Sequence, residues 1–265
     1  MLGKLFRYEF KSTCKVILIV YAVLTGMTAL GMFALSRPNA LDTENPANVL
    51  FIVVYFFLYV LSIAGAYFII LIYLTVHFYK TMYSAQGYLT HTLPVKPLTT
   101  YHVKLLVSAV WTLLSTILVA LSLAGLFWAM ISPYYSWNYL SFTFNEAKAI
   151  MLSSIGMSTA EFVTYIVVAF LLSSFLAPLR VYLSCSIGQL FHTHKLAASI
   201  VAGIIIIFTH NMIGSLFSNG ISVYQESANL FNGDTVWILL GFDAIFMILF
   251  YVATNFIVRK HINLE

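Results

Sequence analysis

The sequence predicts an all-α integral membrane protein built on six transmembrane helices, and three observations predict it. Of the 265 residues, 61% are apolar and only 8% charged, against roughly half and about a quarter in a soluble domain. The apolar positions fall in runs of about 20 residues or more, long enough at ~1.5 Å per residue to cross a ~30 Å hydrocarbon layer as helices. No run alternates in the way a barrel strand of about ten residues does, and a helix satisfies every backbone N–H and C=O where lipid offers no partner. The chain therefore reads as one transmembrane domain over 1–265.

The six spans are expected at about Val16–Leu35, Val49–Phe78, Val103–Ile131, Phe162–Leu183, Leu196–Phe217 and Thr235–Val258. The second and third exceed what a bilayer needs, so they tilt or extend into water. Asn45 followed by Pro46 opens the second, because a first-turn proline gives up no bonded N–H. Ser158 with Glu161 has the spacing of a capping box before the fourth. Asp234 suits the N-cap of the sixth.

Six spans put both termini on one side, and the cations say which. Lys4, Arg7, Lys11, Lys15, Lys80, Lys96, Lys104, Arg180, Lys195, Arg259 and Lys260 fall at the termini or the even-numbered turns, while only Arg37 and Lys148 fall opposite. By the positive-inside rule both termini and the loops after the second and fourth spans are cytoplasmic. Asp42, Glu44, Glu146, Glu226 and Asp234 collect outside. Two cysteines, Cys14 and Cys185, are too few and too far apart for a disulfide framework and read as packing residues.

Met1–Lys15 lacks the order of a secretory signal, so the first span is expected to be retained. Leu2, Leu5, Phe6 and Phe10 recur at helical spacing, with Lys4, Arg7 and Lys11 on another face. The segment 1–15 is expected to be an amphipathic helix lying in the inner interface, its aromatic side in the acyl boundary and its cations near anionic lipid. It is either an orientation signal or an elbow that braces a moving bundle.

The main cytoplasmic loop is 79–104. Phe78, Met82, Ala85 and Leu89, with Tyr79 and Tyr83 beside them, continue the helical stripe of the second span, while Lys80 and Ser84 face away. The helix is expected to stop near Gly87, and Pro97 to open the helix that climbs through Lys104 into the third span. Two readings stand: a solvated turn whose tyrosines anchor at the interface, or an ordered surface that docks another protein.

Elsewhere, "HTH" at His192–His194 has no Cys, Asp or Glu nearby, which argues against a metal site. Gly188–Lys195 is better read as the second cytoplasmic loop, with His192, His194 and Lys195 as a smaller contact. Charge inside the membrane flags function. Arg180 sits near the inner end of the fourth span, as a snorkelling anchor or a substrate contact, and Asp243, about two turns into the sixth span, is the leading polar candidate. Ser132–Phe142 is rich in Tyr and Trp and suits the outer headgroups, Glu146–Leu152 adds a short surface helix within the external loop 132–160, and 210–234 is either a re-entrant pair of helices or an ordinary external loop.

No Ser-His-acid elbow, no H-E-x-x-H helix and no G-x-x-x-x-G-K-[ST] loop occurs. No catalytic residue, metal or cofactor is therefore assigned to this chain, and no nucleic-acid partner is expected.

"KLFRYEFKST", then "FYKTMYSAQGYLTHTLPV" after the second span and a lysine entering the third, resemble the six-helix permease subunits of the type-2 ATP-binding-cassette (ABC) exporters, particularly small Firmicutes forms. The likeness covers the whole chain in topology and is specific in those two stretches. It implies a coupling helix seated on a separate P-loop ATPase, carried by Tyr79, Lys80, Tyr83, Gln86, Gly87, Tyr88, Leu89, Leu93 and Pro94. Where that family commonly places an acid before the glycine of "GYL", this chain has the uncharged Gln86. The resemblance further implies two permease subunits, identical or a pair with a sister chain, a path between their second and fifth spans, and ATP and Mg held by the partner. The function expected is export of an amphipathic or hydrophobic cargo such as a peptide, antibiotic or lipid. The alternative is a sensor or immunity membrane protein that binds a peptide or partner without pumping it.

Overall fold

The computed structural model describes residues 2–37, 45–84, 97–191, 194–224 and 233–260. These residues form seven helices: α1 (Leu2–Leu35), α2 (Pro46–Met82), α3 (Pro97–Ile131), α4 (Trp137–Ile155), α5 (Thr159–Gly188), α6 (Lys195–Tyr224) and α7 (Gly233–Lys260). All but α4 are long and apolar enough to cross a membrane. Burial confirms that reading, because the usual rule is inverted. Large apolar side chains such as Leu18, Phe57, Phe68, Leu121, Ile204 and Phe208 face outward, while Thr13, Ser108, Thr112, Ser122, Ser186 and Thr254 are enclosed. Only a hydrocarbon solvent makes that arrangement stable. The chain is a multi-pass α-helical membrane protein.

Several starts follow the sequence. Pro46 and Pro97 open α2 and α3, and Ser158 with Glu161 makes both bonds of the capping box before α5. Asp234 lies in the first turn of α7 behind Gly233, so it complements the helix dipole and is not the N-cap.

Four elements differ from expectation. No proline occurs between Leu2 and Leu35, and the first span's helix runs on through the N-terminal segment as one piece. There is thus no separate elbow helix. On its aromatic face Phe10 meets protein: it stacks on Trp111 of α3 at 4.5 Å, and the Trp111 indole donates to Thr13 Oγ1 at 2.9 Å. α2 ends at Met82, short of Gly87. The tyrosine-rich stretch from Trp137 onward and the short surface helix merge into the single 19-residue α4. Residues 210–224 continue α6 without a turn, so no re-entrant pair forms there, and 225–232 lie outside the described residues.

The chain divides into two compact units. One contains 14–70 and 114–150. Its core is Leu35, Tyr55, Tyr59 and Leu126, and its helices are tied by hydroxyls: Tyr21 with Ser115 at 2.9 Å, Tyr59 with Ser122 at 2.8 Å, and Tyr55 donating to the Met27 carbonyl at 3.0 Å. That last contact needs a glycine, since a Cβ at Gly31 would stand 1.7 Å from the Tyr55 hydroxyl.

The other unit contains 1–13, 71–113 and 151–265. Here α5 packs along both α6 and α7, and Phe78, Met82, Tyr83, Tyr101, Leu179, Tyr182 and Val258 belong to its core. Pro178 sits inside α5. Having no N–H, it leaves the Ser174 carbonyl, four residues earlier, without its helical donor. Thr112 of α3 supplies one: its hydroxyl lies 2.7 Å from Ser174 O.

Two outcomes follow for thermal unfolding of the protein in detergent. Gly31→Ala, which forces the Tyr55 ring to move, lowers stability by about 1–3 kcal/mol, whereas Gly26→Ala, with nothing within 4 Å of its new methyl, does not. Thr112→Val costs about 1–3 kcal/mol by stranding a buried carbonyl, and costs less in a Pro178→Ala background, where residue 178 regains the N–H that bonds Ser174.

Candidate functional site

Of the loop residues singled out for partner contact, Gln86, Gly87, Tyr88, Leu89, Leu93 and Pro94 lie outside the described residues. Tyr79, Lys80 and Tyr83 do not, and the three differ. The stripe Phe78, Met82 and Tyr83 turns inward as its spacing predicts, with Phe78 stacked on Tyr182 of α5 at 3.8 Å. Lys80 faces out and Tyr79 is half-buried. Tyr83 is 0% exposed, so it cannot itself touch a partner as expected. Its hydroxyl is 2.8 Å from Ser186 Oγ of α5, and burial pushes its pKa up to about 12. What Tyr83 does is fasten the end of α2 to α5.

Beside it lies an ion cluster that sequence reasoning missed. Glu9 of α1 is buried and accepts from Lys104 Nζ of α3 through Oε1, and from His77 Nε2 of α2 through Oε2 at 2.8 Å. Lys104 is 3% exposed. It is thus a packed residue and not a loop cation. A buried ammonium needs both a charge partner and a hydrogen bond, and Glu9 supplies the two together. The available signal was Glu9's place: at helical spacing it falls among Leu2, Leu5, Phe6 and Phe10, opposite Lys4, Arg7 and Lys11. A carboxylate on an apolar face calls for a cation from elsewhere.

The two intramembrane candidates, Arg180 and Asp243, are brought together by a residue that the sequence did not single out. His210 lies on α6 between them. Arg180 Nη2 is 2.8 Å from His210 Nδ1, and His210 Nε2 is 3.2 Å from Asp243 Oδ1. The chemistry fixes the tautomer. Arginine has only donors, so Nδ1, at 2.8 Å from Nη2 against 3.5 Å for Nε2, accepts, and Nε2 carries the ring hydrogen on the side that faces the carboxylate. The relay thus holds one cation, one neutral imidazole and one anion, with no net charge. The reading of Arg180 as a lipid-facing anchor does not fit, since its guanidinium turns to α6. The imidazole is buried against Phe242, Phe246 and Phe250, with the Phe246 ring edge-on at 4.8 Å. The Asp243 side chain is 46% exposed.

The second loop's residues are less informative. His192 is outside the described residues. His194 is exposed, with φ 57° just before α6, so it closes the turn in the left-handed region, and Lys195 is the first residue of α6. α5 and α6 approach closely at their ends: a Cβ on Gly188 would come within 1.9 Å of Ser199 Oγ. His102 pairs with the Tyr251 hydroxyl at 2.7 Å. Among the described residues no three His, Cys, Asp or Glu side chains converge as a metal would require.

No protein-family model, curated protein or solved structure matches this chain.

Glu9→Gln, by leaving Lys104 buried without its counter-charge, lowers stability in detergent by about 3–5 kcal/mol. Lys104→Met in that background recovers most of the loss, and a thermal-unfolding cycle over the four proteins measures the coupling.

Proposed function

We propose that this chain is the membrane-spanning subunit of an ATP-driven ABC exporter, with both termini in the cytoplasm of a bacterium. Separate P-loop ATPase subunits, holding ATP and Mg, seat on the loop after α2. Two copies, or one copy with a sister chain, enclose the path. The loss of backbone and charge partners that lipid imposes makes a helix end a stiff lever only where it is fastened, and one observation carries the reading. At the end of α2, Lys80 is exposed while its neighbours Phe78, Met82 and Tyr83 are locked into α5. A displacement applied from the water beside Lys80 passes directly into the helix that bears Arg180. The cargo is an amphipathic or hydrophobic molecule such as a peptide, antibiotic or lipid.

The buried tyrosine also selects the variant. A charge at Tyr83 would unfold the α2 end whatever the function, whereas Lys80→Glu reverses a surface charge. The chain purified from its native membranes carries Mg-dependent ATPase activity, and Lys80→Glu lowers that activity severalfold at an unchanged Tm. A purified complex that hydrolyses no ATP overturns the exporter and leaves a binding protein that senses or sequesters its ligand.

A further inference from the structure

Asp243 is ten residues into α7, ~15 Å along the helix at 1.5 Å per residue, close to half the depth of a ~30 Å hydrocarbon core. A carboxylate at such depth is costly unless it meets water, a cation or protein. Its inner oxygen meets His210, yet 46% of the side chain remains open, on a helix whose outward residues include Ile245, Ile248, Leu249 and Val252. The exposed end of the relay is negative, because the guanidinium of Arg180 is engaged on the other ring nitrogen. A run of rings packs on His210: Phe242 lies 5.4 Å from the imidazole, Phe217 stacks on Phe242 at 5.6 Å, and Phe242 meets Phe246 at 4.6 Å.

We infer that Asp243, held beside His210 and half open in apolar surroundings, is a binding site for the ammonium group of an amphipathic cation. A half-exposed carboxylate among hydrocarbon side chains suits an organic ammonium through charge and a charge-assisted hydrogen bond. It does not suit a bare metal ion, which needs six or more oxygens for calcium or an octahedral set for magnesium. The depth of the site requires the ligand to bring its own hydrocarbon. His210 is a positioning residue: as a neutral donor it orients the carboxylate without cancelling its charge. This deepens the exporter reading by naming the cargo's chemical class, and it rests on that reading for the step of transport but not for binding.

The test uses the full chain in lipid nanodiscs without ATP or any ATPase, and a fluorescent alkylammonium reporter, with empty nanodiscs subtracted. Dodecylamine displaces the reporter at least about tenfold better than uncharged N-acetyl-dodecylamine, the size expected of one charge-assisted hydrogen bond. Asp243→Asn abolishes that preference, and Asp243→Glu retains it. Equal competition by the two compounds in the native chain overturns the proposal, as does a preference that survives in Asp243→Asn. So does a chain whose amine preference is absent while Asp243→Asn dissociates a dimer, which assigns the carboxylate to contact with a second copy. If Asp243→Asn does not fold, the native chain and Asp243→Glu decide on the amine preference alone. Amine preference without any associated ATPase upholds the site and removes the exporter. ATPase activity without amine preference does the reverse.

Discussion

Lipid offers no hydrogen bonds, and that single condition orders the polar interior of this protein. Buried hydroxyls link neighbouring helices in pairs: Tyr59 with Ser122, Tyr83 with Ser186, Tyr182 with Ser108. Burying apolar surface between helices gains little when the alternative is a lipid tail of equal polarity, so close approach and such bonds must do more of the joining. Gly31 under Tyr55 shows the approach, and Thr112 on Ser174 shows the bond. The Thr112 contact is also what makes Pro178 tolerable, because a carbonyl freed in hydrocarbon without a donor would oppose the helix it belongs to.

The same condition separates the two ionic clusters. Glu9, Lys104 and His77 are enclosed, and the carboxylate has a donor on each oxygen. Such a closed arrangement has no open valence for a ligand; it ties three helices at one place and reads as structural. Arg180, His210 and Asp243 are arranged in a line, closed at the guanidinium and open at the carboxylate. An enclosed ion pair is explained by its partners alone. A half-open one is explained only with something further beside it, and for that reason the proposal about ligand chemistry rests on Asp243 and not on Glu9.

Much of the fold was legible because membrane crossing leaves long, simple patterns. The six apolar runs, Pro46, Pro97 and the Ser158–Glu161 box all lie where helices start or cross. Helix lengths were less legible. Hydropathy marks where lipid ends but not where a helix does, so α6 continues to Tyr224 through a mixed stretch that resembled a loop. At the site, Arg180 and Asp243 stand out as charges in apolar surroundings, and their partner does not. His210 is one of seven histidines, and only the side-by-side packing of α5, α6 and α7 selects it. Tyr83 shows the opposite error: its position on the helical stripe was right, and a role at the surface was inferred where the same stripe implies burial.

The length of α2 gives these points a common mechanical consequence. Its 37 residues extend ~55 Å at 1.5 Å per residue, well beyond a ~30 Å core. Excess length is taken up by tilt or by protrusion, and a protruding helix end transmits force only if it resists bending. Here the last turn of α2 is held by a ring stack of Phe78 on Tyr182 and by the Tyr83–Ser186 bond, both on α5, while His77 one residue earlier is bound to Glu9. α5 in turn carries Arg180. The residues that hold the end of α2 are thus on the same helix as one terminus of the intramembrane relay, and in the exporter we propose a tilt of α5 driven at Tyr182 and Ser186 would act on the Arg180–His210 contact and, through the imidazole, on the Asp243 carboxylate.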